Sequence, residues 1–495
     1  MKKRLFALLL AMLMLVPFAA CANDDTPDTT DTTLSGENTN SPTTTAPEAT
    51  GPVPELPDVK FEGTELVFVN RPADAEYYNE LWLAAEDLTG DLINDSIWRR
   101  NTYIEEKYGV TISTVESTSP ADLVSTASMS NDDLYDVMYE SFRNTGTRAL
   151  AGQLYNIADF GYVNYDNPWW DANSVEGLSY NGKLFAVVCD ISLMTPVGQR
   201  GIIFNRDLIR ENNLDDPYDL VEQDKWYLDT MFEMVTKVSN DLDGDNVRTD
   251  ADLYGFLSEE SAGASAFFLI GGCGVTFVSK TEDGLTESFM NEKTIGILDK
   301  INAIFADDTI TRDYNDLDPE GSKWIYGRQL FSEDHFLFTV ASSDVFEEFK
   351  NFEMKSEYGM VPLPKYDASQ TEYYHYLDTY RTCLSIPATN SQDDIERLSI
   401  ILEDMAYKSS EEVLTAFVDE VISLRRARVP ELGEMVKLIR KSICYDVSTL
   451  FTEIDYKSIL ATAVESGNAS SSFSSVSRVF QKKLSNLAKK LEQLG

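Results

Sequence analysis

The first 20 residues have the layout of an export signal, so the folding part of this chain must reach its structure outside the cytoplasm. Met1-Lys2-Lys3-Arg4 is basic, residues 5–16 form an apolar run, and two alanines precede Cys21. This order is typical of a signal peptide that is removed on export. An uncleaved membrane anchor is the alternative, but the apolar run is shorter than the roughly 20 residues that span a bilayer. We predict that residues 1–20 are a signal peptide.

The segment after the export signal has a composition that prevents folding. Residues 22–58 hold ten threonines, six prolines, eight acids and no lysine or arginine. Such a segment cannot bury enough apolar surface to offset the entropy that it would lose on ordering. We predict a disordered Thr/Pro-rich tether over residues 21–58, and glycosylation of it stays open.

Cys21 follows the predicted cleavage position directly, and this arrangement resembles the lipobox of bacterial lipoproteins. The resemblance implies that Cys21 becomes the mature N-terminus and carries a lipid. The protein would then be held on the extracellular face of the cytoplasmic membrane. Phe18 departs from the lipobox pattern, which usually has a smaller aliphatic residue there. The alternative is an ordinary signal peptide with a chance cysteine.

Size and charge limit what the remaining chain can be. Residues 59–495 are too many for one core of usual size and predict two domains or lobes. The formal net charge is −42, and removal of the three cations of the export signal makes it −45. A surface this acidic repels nucleic acid and anionic lipid headgroups. We therefore expect a monomer that has no nucleic-acid partner.

The four cysteines beyond Cys21 indicate buried thiols more than disulfides. Cys189, Cys273, Cys383 and Cys444 lie far apart, and a domain this large needs no covalent cross-links. Disulfides stay open in an exported protein, since four cysteines allow three pairings. The sequence contains neither a CxxC pair nor the Cys/His spacing of a metal site.

Hydrophobic patterning predicts an α/β fold. Strand-like runs occupy residues 65–70, 110–115, 133–139, 184–188 and 201–205, and helical patterns occupy 93–108, 226–239, 290–306, 392–408, 432–443 and 473–494. The strand–helix–strand order near the start predicts a parallel sheet with helices on its faces. The last helix has a stripe of apolar residues at helical spacing, which we interpret as core packing. That stripe consists of Phe473, Val476, Val479, Phe480, Leu484, Leu487 and Leu491.

A series of short phrases, taken in order, resembles the extracellular solute-binding lipoproteins of bacterial ABC importers, in the group of the maltose-binding proteins. The phrases are Tyr135-Asp136-Val137-Met138, Asn181-Gly182-Lys183-Leu184-Phe185-Ala186, Ile202-Ile203-Phe204-Asn205-Arg206-Asp207-Leu208, Tyr254-Gly255-Phe256, Tyr358-Gly359-Met360-Val361-Pro362-Leu363-Pro364 and Cys383-Leu384-Ser385-Ile386-Pro387. Asn167-Pro168-Trp169-Trp170 together with Trp226 resembles members from clostridia-like Gram-positive bacteria. No single phrase is specific, but their order covers nearly the whole chain.

The resemblance implies a two-lobe, type II periplasmic-binding-protein-like fold, in which crossing strands join the lobes and ligand binds in the cleft between them. It places the crossings near residues 188–194, 378–384 and 425–430. Lobe one would comprise residues 59–189 and 385–430. Lobe two would comprise residues 190–384 and 431–495.

The same resemblance implies a function and its partners. The protein would capture a solute, with carbohydrate as the favoured class, and deliver it to the permease subunits of an ABC importer. Two alternatives stay open at this point. One is a surface-anchored glycoside hydrolase, because 83 acids make chance carboxylate pairs inevitable. The other is a ligand-sensing lipoprotein that serves no transporter.

Candidate ligand-binding residues follow from the rule that open α/β sheets bind ligands at the carboxyl ends of their strands. Arg71 follows the first predicted strand, Glu140 and Ser141 follow the third, and Asp190 follows the fourth. The second implied crossing contributes Asp378, Tyr380 and Arg381. Trp169 and Trp170 add aromatic faces of the kind that stack on sugar rings, although core packing is the commoner role of such residues. Each charged residue has a solvated loop charge or an ion pair as its alternative.

An acidic loop at residues 241–252 has the ligand spacing of a calcium loop. Such a loop needs oxygens at positions one, three and five, a carbonyl at seven and an acid at twelve. Here these are Asp241, Asp243, Asp245, Val247 and Asp252. The loop departs from the pattern with asparagine at position six and aspartate at twelve. We expect structural calcium or, alternatively, an acidic surface turn, and we expect no other cofactor.

Enzyme chemistry has little support in the sequence. The chain has only two histidines, His335 and His375, and they form no His-x-x-x-His pair. This weakens zinc-protease and Ser-His-Asp interpretations. We therefore predict no catalytic residue.

Overall fold

The computed structural model describes residues 51–72, 83–193, 198–258, 262–417, 431–452, 454 and 456–494. Cys21, the export signal, most of the predicted tether and the third implied crossing at 425–430 lie outside the described residues. Residues 52–495 form one compact unit. Within the described ranges, no helix is both long and apolar enough to cross a membrane.

Thirteen strands are defined within the described residues. They are β1 Thr64–Asn70, β2 Val110–Glu116, β3 Val137–Ser141, β4 Arg200–Asn205, β5 Tyr254–Ser258, β6 Val278–Thr281, β7 Gly284–Glu287, β8 Thr311–Asp313, β9 Phe336–Ser342, β10 Tyr358–Val361, β11 His375–Tyr376, β12 Thr382–Ser385 and β13 Ile443–Cys444.

Sixteen α-helices are defined in the same part of the chain. They are α1 Leu92–Tyr108, α2 Pro120–Ser130, α3 Phe142–Leu150, α4 Ala172–Leu178, α5 Arg206–Glu211, α6 Pro217–Glu222, α7 Leu228–Val235, α8 Ala262–Gly272, α9 Glu292–Phe305, α10 Lys323–Ser332, α11 Val345–Asn351, α12 Gln392–Lys408, α13 Glu431–Lys441, α14 Val447–Leu450, α15 Tyr456–Ser466 and α16 Ala469–Gln493. A 3₁₀ turn at Tyr314–Asp316 and a π turn at Ser409–Val413 complete the set.

The first sheet has the order β12-β3-β1-β2. Its strands β1, β2 and β3 are parallel, and β12 is antiparallel to β3. The parallel strands are joined by α1 and α2, as the strand–helix–strand order predicts. Capping defines α1: the Asp91 side chain accepts the N–H of Asn94 at 2.8 Å, and Gly109 ends the helix with φ +69°.

The second sheet has the order β10-β4-β9-β5-β8. Strands β9, β5 and β8 run parallel, whereas β4 is antiparallel to both β9 and β10. Every residue of β4, β5 and β9 is buried, which explains why these strands are continuous apolar runs without alternation. Apolar side chains from both sheets belong to one continuous buried cluster that includes Phe68 and Phe338.

The structure corrects several predicted elements. Residues 184–188 form no strand, because Val187 makes only an isolated bridge to Leu384 and Leu184 bonds to Asn156 instead. The predicted strand 133–139 lies further along the chain, as β3. The predicted helix 392–408 coincides with α12, whose N-terminus has a capping box between Ser391 and Asp394.

The cysteine prediction is confirmed, since all four described cysteines are free thiols and three of them are buried. The last helix is only partly as predicted. Most of its stripe is buried, but Val479 is 60% exposed.

Helix α14 packs unusually closely on α3. A Cβ atom at Gly146 of α3 would lie 1.9 Å from the carbonyl oxygen of Leu450, so only glycine permits this approach. The segment around α14 therefore lies against a helix of the first sheet, although residues 431–495 are assigned above to lobe two. The lobe boundaries remain predictions.

Trp169 and Trp170 lie in the core, only 2% and 3% exposed. Both indole N–H groups donate to Glu403 of α12, Trp169 to Oε1 at 3.2 Å and Trp170 to Oε2 at 2.6 Å. Asn167 Nδ2 donates to Oε1 at 2.6 Å. Burial raises the pKa of Glu403, and these hydrogen bonds oppose the rise. One carboxylate thus holds the loop at 167–170 onto α12.

Replacing this carboxylate by an amide should destabilise the fold. The amide would present an N–H₂ group where one carboxylate oxygen of Glu403 accepts two hydrogen bonds, so two donors, one of them a buried indole N–H, would lose their acceptor. We expect Glu403→Gln to lower the free energy of unfolding in urea by about 2–3 kcal/mol. Glu396→Gln changes an exposed carboxylate of the same helix and should have an effect below about 0.5 kcal/mol. Equal losses in the two variants would contradict the role given to Glu403.

Candidate functional site

Arg71, Glu140 and Ser141 lie together because they end neighbouring parallel strands. Arg71 Nε lies 3.1 Å from Glu140 Oε1. Glu140 is fully buried and also accepts the N–H of Ser141 at 2.7 Å. Ser141 caps α3 through its side chain. The three residues therefore share one edge of the sheet, as their positions at strand ends predict, and Glu140 is turned inward to an ion pair.

Residues 378–381 form a turn, here called the junction turn, whose backbone is bound to the first sheet's layer. The carbonyl oxygen of Arg381 accepts the N–H of Phe142 at 3.0 Å, and that of Thr379 accepts the N–H of Arg143 at 3.2 Å. These donors belong to the first turn of α3, which has no intrahelical partners for them. The junction turn therefore covers the start of α3.

Side chains of the same turn reach the second sheet and the helices beside it. Arg381 Nη2 donates to Ser342 Oγ at 3.3 Å, and Ser342 is the last residue of β9. Asp378 Oδ1 accepts from Lys457 Nζ of α15 at 3.0 Å. Arg200, at the start of β4, pairs in register with Ser342. The junction turn thus joins the ends of both sheets.

Cations dominate the electrostatics around this turn. Burial alone would raise the pKa of Asp378, but Lys457 and Arg200 hold it well below its usual range. Burial would also raise the pKa of Asp344, but the neighbouring cations, chiefly Arg328, lower it below its usual value. Both carboxylates are partly buried and stay ionised.

Tyr380 is the exposed member of the junction turn. Its side chain is 52% exposed, and its hydroxyl accepts from Arg143 Nη1 at 3.2 Å. A half-exposed aromatic ring beside an exposed guanidinium offers an apolar face and hydrogen-bond donors together. Of the residues predicted from sequence, Tyr380 is best placed to contact a bound molecule.

Asp190 and Trp170 form a second group, separate from the residues at the junction turn. Asp190 is buried and ion-paired with Arg440 of α13, and burial raises its pKa despite that pair. Both predicted residues line a cavity of about 630 Å³, together with Arg440. Cavities of this size are in the range that holds small molecules. Whether any predicted residue in either group contacts ligand remains a prediction.

The acidic loop brings three of its five predicted ligands together. Carboxylate oxygens of Asp241, Asp243 and Asp252 lie within 4.8 Å of one another. Asp245 is outside this group and accepts the N–H of Val247 at 2.7 Å. A backbone hydrogen bond from Asp245 lowers the pKa of Asp243, but desolvation and the neighbouring acids outweigh it, so the pKa is raised.

The backbone of the loop also matches a calcium loop at position six, where this sequence has Asn246 in place of the usual glycine. Asn246 has φ +64°, the left-handed conformation that glycine usually supplies at position six. The three clustered carboxylates and this backbone fit the donor set that calcium requires.

His375 is fully enclosed and serves structure. Its Nε2 accepts the N–H of Leu363 at 3.0 Å, so Nδ1 carries the proton toward Ser442 Oγ at 2.8 Å. Burial lowers the pKa of His375 to about 3. The ring is therefore neutral at physiological pH and is committed to these two partners.

The sequence interpretation missed several residues of the junction. Arg143 begins α3 beside Ser141, and its charge gives no periodic signal. Arg200, Ser342 and Asp344 belong to or follow strands of the second sheet. The run Phe336–Ser342, bounded by Asp334 and Asp344, was the available signal for β9, but we did not assign it as a strand.

Solved structures of other proteins share the fold of this chain, whereas comparisons of sequence find no match. No protein-family model matches the sequence, and no curated protein matches it. A cyclo/maltodextrin-binding protein in complex with maltotetraose is 13% identical, with 88% of this chain and 98% of that chain covered and a TM-score of 0.54. An ABC substrate-binding protein from Listeria monocytogenes in complex with cycloalternan is 11% identical, with 85% and 99% covered and a TM-score of 0.53.

A third solved structure is similar over the same length. The GacH receptor of Streptomyces glaucescens, solved without ligand and with acarbose, is 13% identical, with 86% of this chain and 100% of that chain covered and a TM-score of 0.52. At these identities the likeness concerns architecture alone. The chain therefore has the mixed α/β, two-lobe, type II periplasmic-binding-protein-like fold.

Proposed function

We propose that this protein is an extracellular solute-binding protein of an ABC importer and binds a carbohydrate in the cleft between its lobes. The observation that supports the proposal is the junction turn, which contacts residues at the ends of both sheets and has one half-exposed ring, that of Tyr380. Open α/β sheets bind ligands at their strand ends, and here two sheets present those ends to one turn. A molecule bound there can contact both lobes.

Carbohydrate is the ligand class that this site suits best. A sugar ring has an apolar face of C–H groups, which the ring of Tyr380 can cover, and hydroxyls that Arg143 can bind. The similar structures were solved with maltotetraose, cycloalternan and acarbose. These proteins bind ligands and are not named as enzymes, which favours binding over the hydrolase alternative.

Binding would act through closure of the lobes. We place lobe one at residues 59–189 and 385–430 and lobe two at 190–384 and 431–495. Ligand that contacts both lobes favours the closed state by its differential affinity for that state. Importer permease subunits would then bind the closed form.

We also propose that a lipid on Cys21 attaches the protein to the membrane. The protein would then be a solute-binding lipoprotein of the clostridia type. The Thr/Pro-rich segment would act as a tether between the membrane and the folded part. Acids without cations repel one another, which suits a segment proposed as a tether.

Tyr380 provides the sharpest test of the ligand site. We expect calorimetry with neutral oligosaccharides, maltotetraose first, to find a binder whose affinity falls at least about fivefold in Tyr380→Ala. The reason is that loss of a stacked ring costs about 1–3 kcal/mol. Tyr162→Ala removes an exposed tyrosine outside the junction turn and should leave affinity unchanged. A panel of oligosaccharides, peptides and amino acids without any binder would contradict the proposal.

We also propose that Asp241, Asp243 and Asp252 hold a structural calcium ion. Calcium should raise the melting temperature, because an ion that binds only the folded state stabilises it by mass action. Asp243→Asn should abolish the rise, whereas Asp283→Asn, in the exposed turn between β6 and β7, should retain it. Magnesium at the same concentration should act more weakly. An identical response of wild type and Asp243→Asn would contradict the site.

The lipid anchor is tested by removing its acceptor. In cells washed at high salt, which screens electrostatic attraction to lipid, Cys21→Ser should release the protein from the membrane fraction into the medium, since the described helices offer no membrane span. A Cys21→Ser protein that stayed with the membrane would overturn the anchor, while the proposed ligand site would be unaffected.

A further inference from the structure

Helix α16 differs in charge from the rest of this protein. Its 25 residues contain five cations and only one acid, Glu492, in a chain whose net charge is −42. The cations are Arg478, Lys482, Lys483, Lys489 and Lys490. All five are exposed, and we call them the basic face of α16.

Helical geometry explains why these cations share one side. Phe473, Phe480, Leu484, Leu487 and Leu491 turn inward and are buried. At 100° per residue, the five cations fall within a sector of about 140° on the opposite side. The core therefore fixes the orientation of the basic face toward solvent.

Most of these charges are not paired within the described structure. Arg478, Lys482, Lys483 and Lys489 form no salt bridge with any described residue, although such pairs are common elsewhere in the chain, for example Lys300 with Asp229 at 2.7 Å. Lys490 lies in the last turn, where it also complements the helix dipole. That effect cannot account for Arg478, Lys482 and Lys483, which lie about two or more turns earlier.

An apolar groove borders the same cations. Val479 is 60% exposed, and with Val476 and Ile459 it lines a groove of about 320 Å³ between α15 and α16. Lys483 lies at the rim of that groove. Lysines beside an exposed apolar strip are the features with which helices bind the surface of an anionic membrane.

We infer that the basic face of α16 docks on anionic lipid headgroups of the membrane that carries the protein. The inference goes beyond the proposed function and uses only its membrane anchor. A cation close to an anionic membrane surface is attracted within about one Debye length, roughly 8 Å at physiological salt. Acids on distant faces are screened over that length, so the local charge decides. Docking would fix which side of the protein faces the membrane.

The experiment uses the chain from Ala22 onward, without export signal or lipid, and vesicles of phosphatidylglycerol and phosphatidylcholine. At about 50 mM salt, where screening is weak, we expect co-sedimentation with vesicles rich in phosphatidylglycerol to exceed that with pure phosphatidylcholine at least tenfold. The variant Lys482→Gln/Lys483→Gln/Lys489→Gln/Lys490→Gln should lose this excess. Val479→Ser should weaken it severalfold.

A matched control removes the same charge elsewhere. Lys60→Gln/Lys225→Gln/Lys237→Gln/Lys355→Gln changes four exposed lysines outside α16 and should retain the binding within about twofold. Equal loss in both quadruple variants, or no excess on anionic vesicles, would overturn the inference. Binding to soluble polyphosphate without binding to vesicles would contradict the inference that the partner is a membrane. Oligosaccharide affinity should be the same in both variants, so failure here is separable from failure of the ligand site.

Discussion

The double attachment of the junction turn is the contact on which the relation between the two sheets depends. Its carbonyl groups accept the first N–H groups of α3, and these bonds fix its backbone to one layer. Its side chains instead reach the other layer, through Arg381 to Ser342 and Asp378 to Lys457. Backbone bonds at a helix start are short and fixed, whereas long charged side chains can rotate. A change in the angle between the sheets would therefore be taken up by these side chains.

The same arrangement explains why partly buried charges persist there. A carboxylate in a protein interior is costly unless cations accompany it. Lys457 and Arg200 meet this need for Asp378, and Arg328 meets it for Asp344. The cations around Asp378 come from elements distant in sequence, since Lys457 lies on α15 and Arg200 begins β4, so this carboxylate is satisfied only when the junction turn lies against the second sheet. Tyr380 is left at the surface of this network, free of any core role.

Sequence reasoning predicted which residues share an edge of the first sheet better than it predicted the contacts of their side chains. Arg71 and Glu140 were found because parallel neighbours end at one edge, but nothing local indicates that Glu140 turns inward to Arg71. Trp169 and Trp170 show the same limit, since their partner Glu403 lies more than 200 positions away. Residues 184–188 have a strand-like composition, but they meet β12 only through one bridge, between Val187 and Leu384. Periodicity also grouped Val479 with the core stripe of α16, although its angular position is outside that stripe.

Lobe closure on ligand is the central claim, and a distance between the lobes tests it most directly. Spin labels on an exposed position of α2 in the first layer and of α9 in the second would report that distance by pulsed electron resonance. The account predicts that an oligosaccharide identified by calorimetry shortens the distance and narrows its distribution, and that Tyr380→Ala requires more ligand for the same change. An oligosaccharide that saturates the protein while leaving the distance unchanged would contradict it.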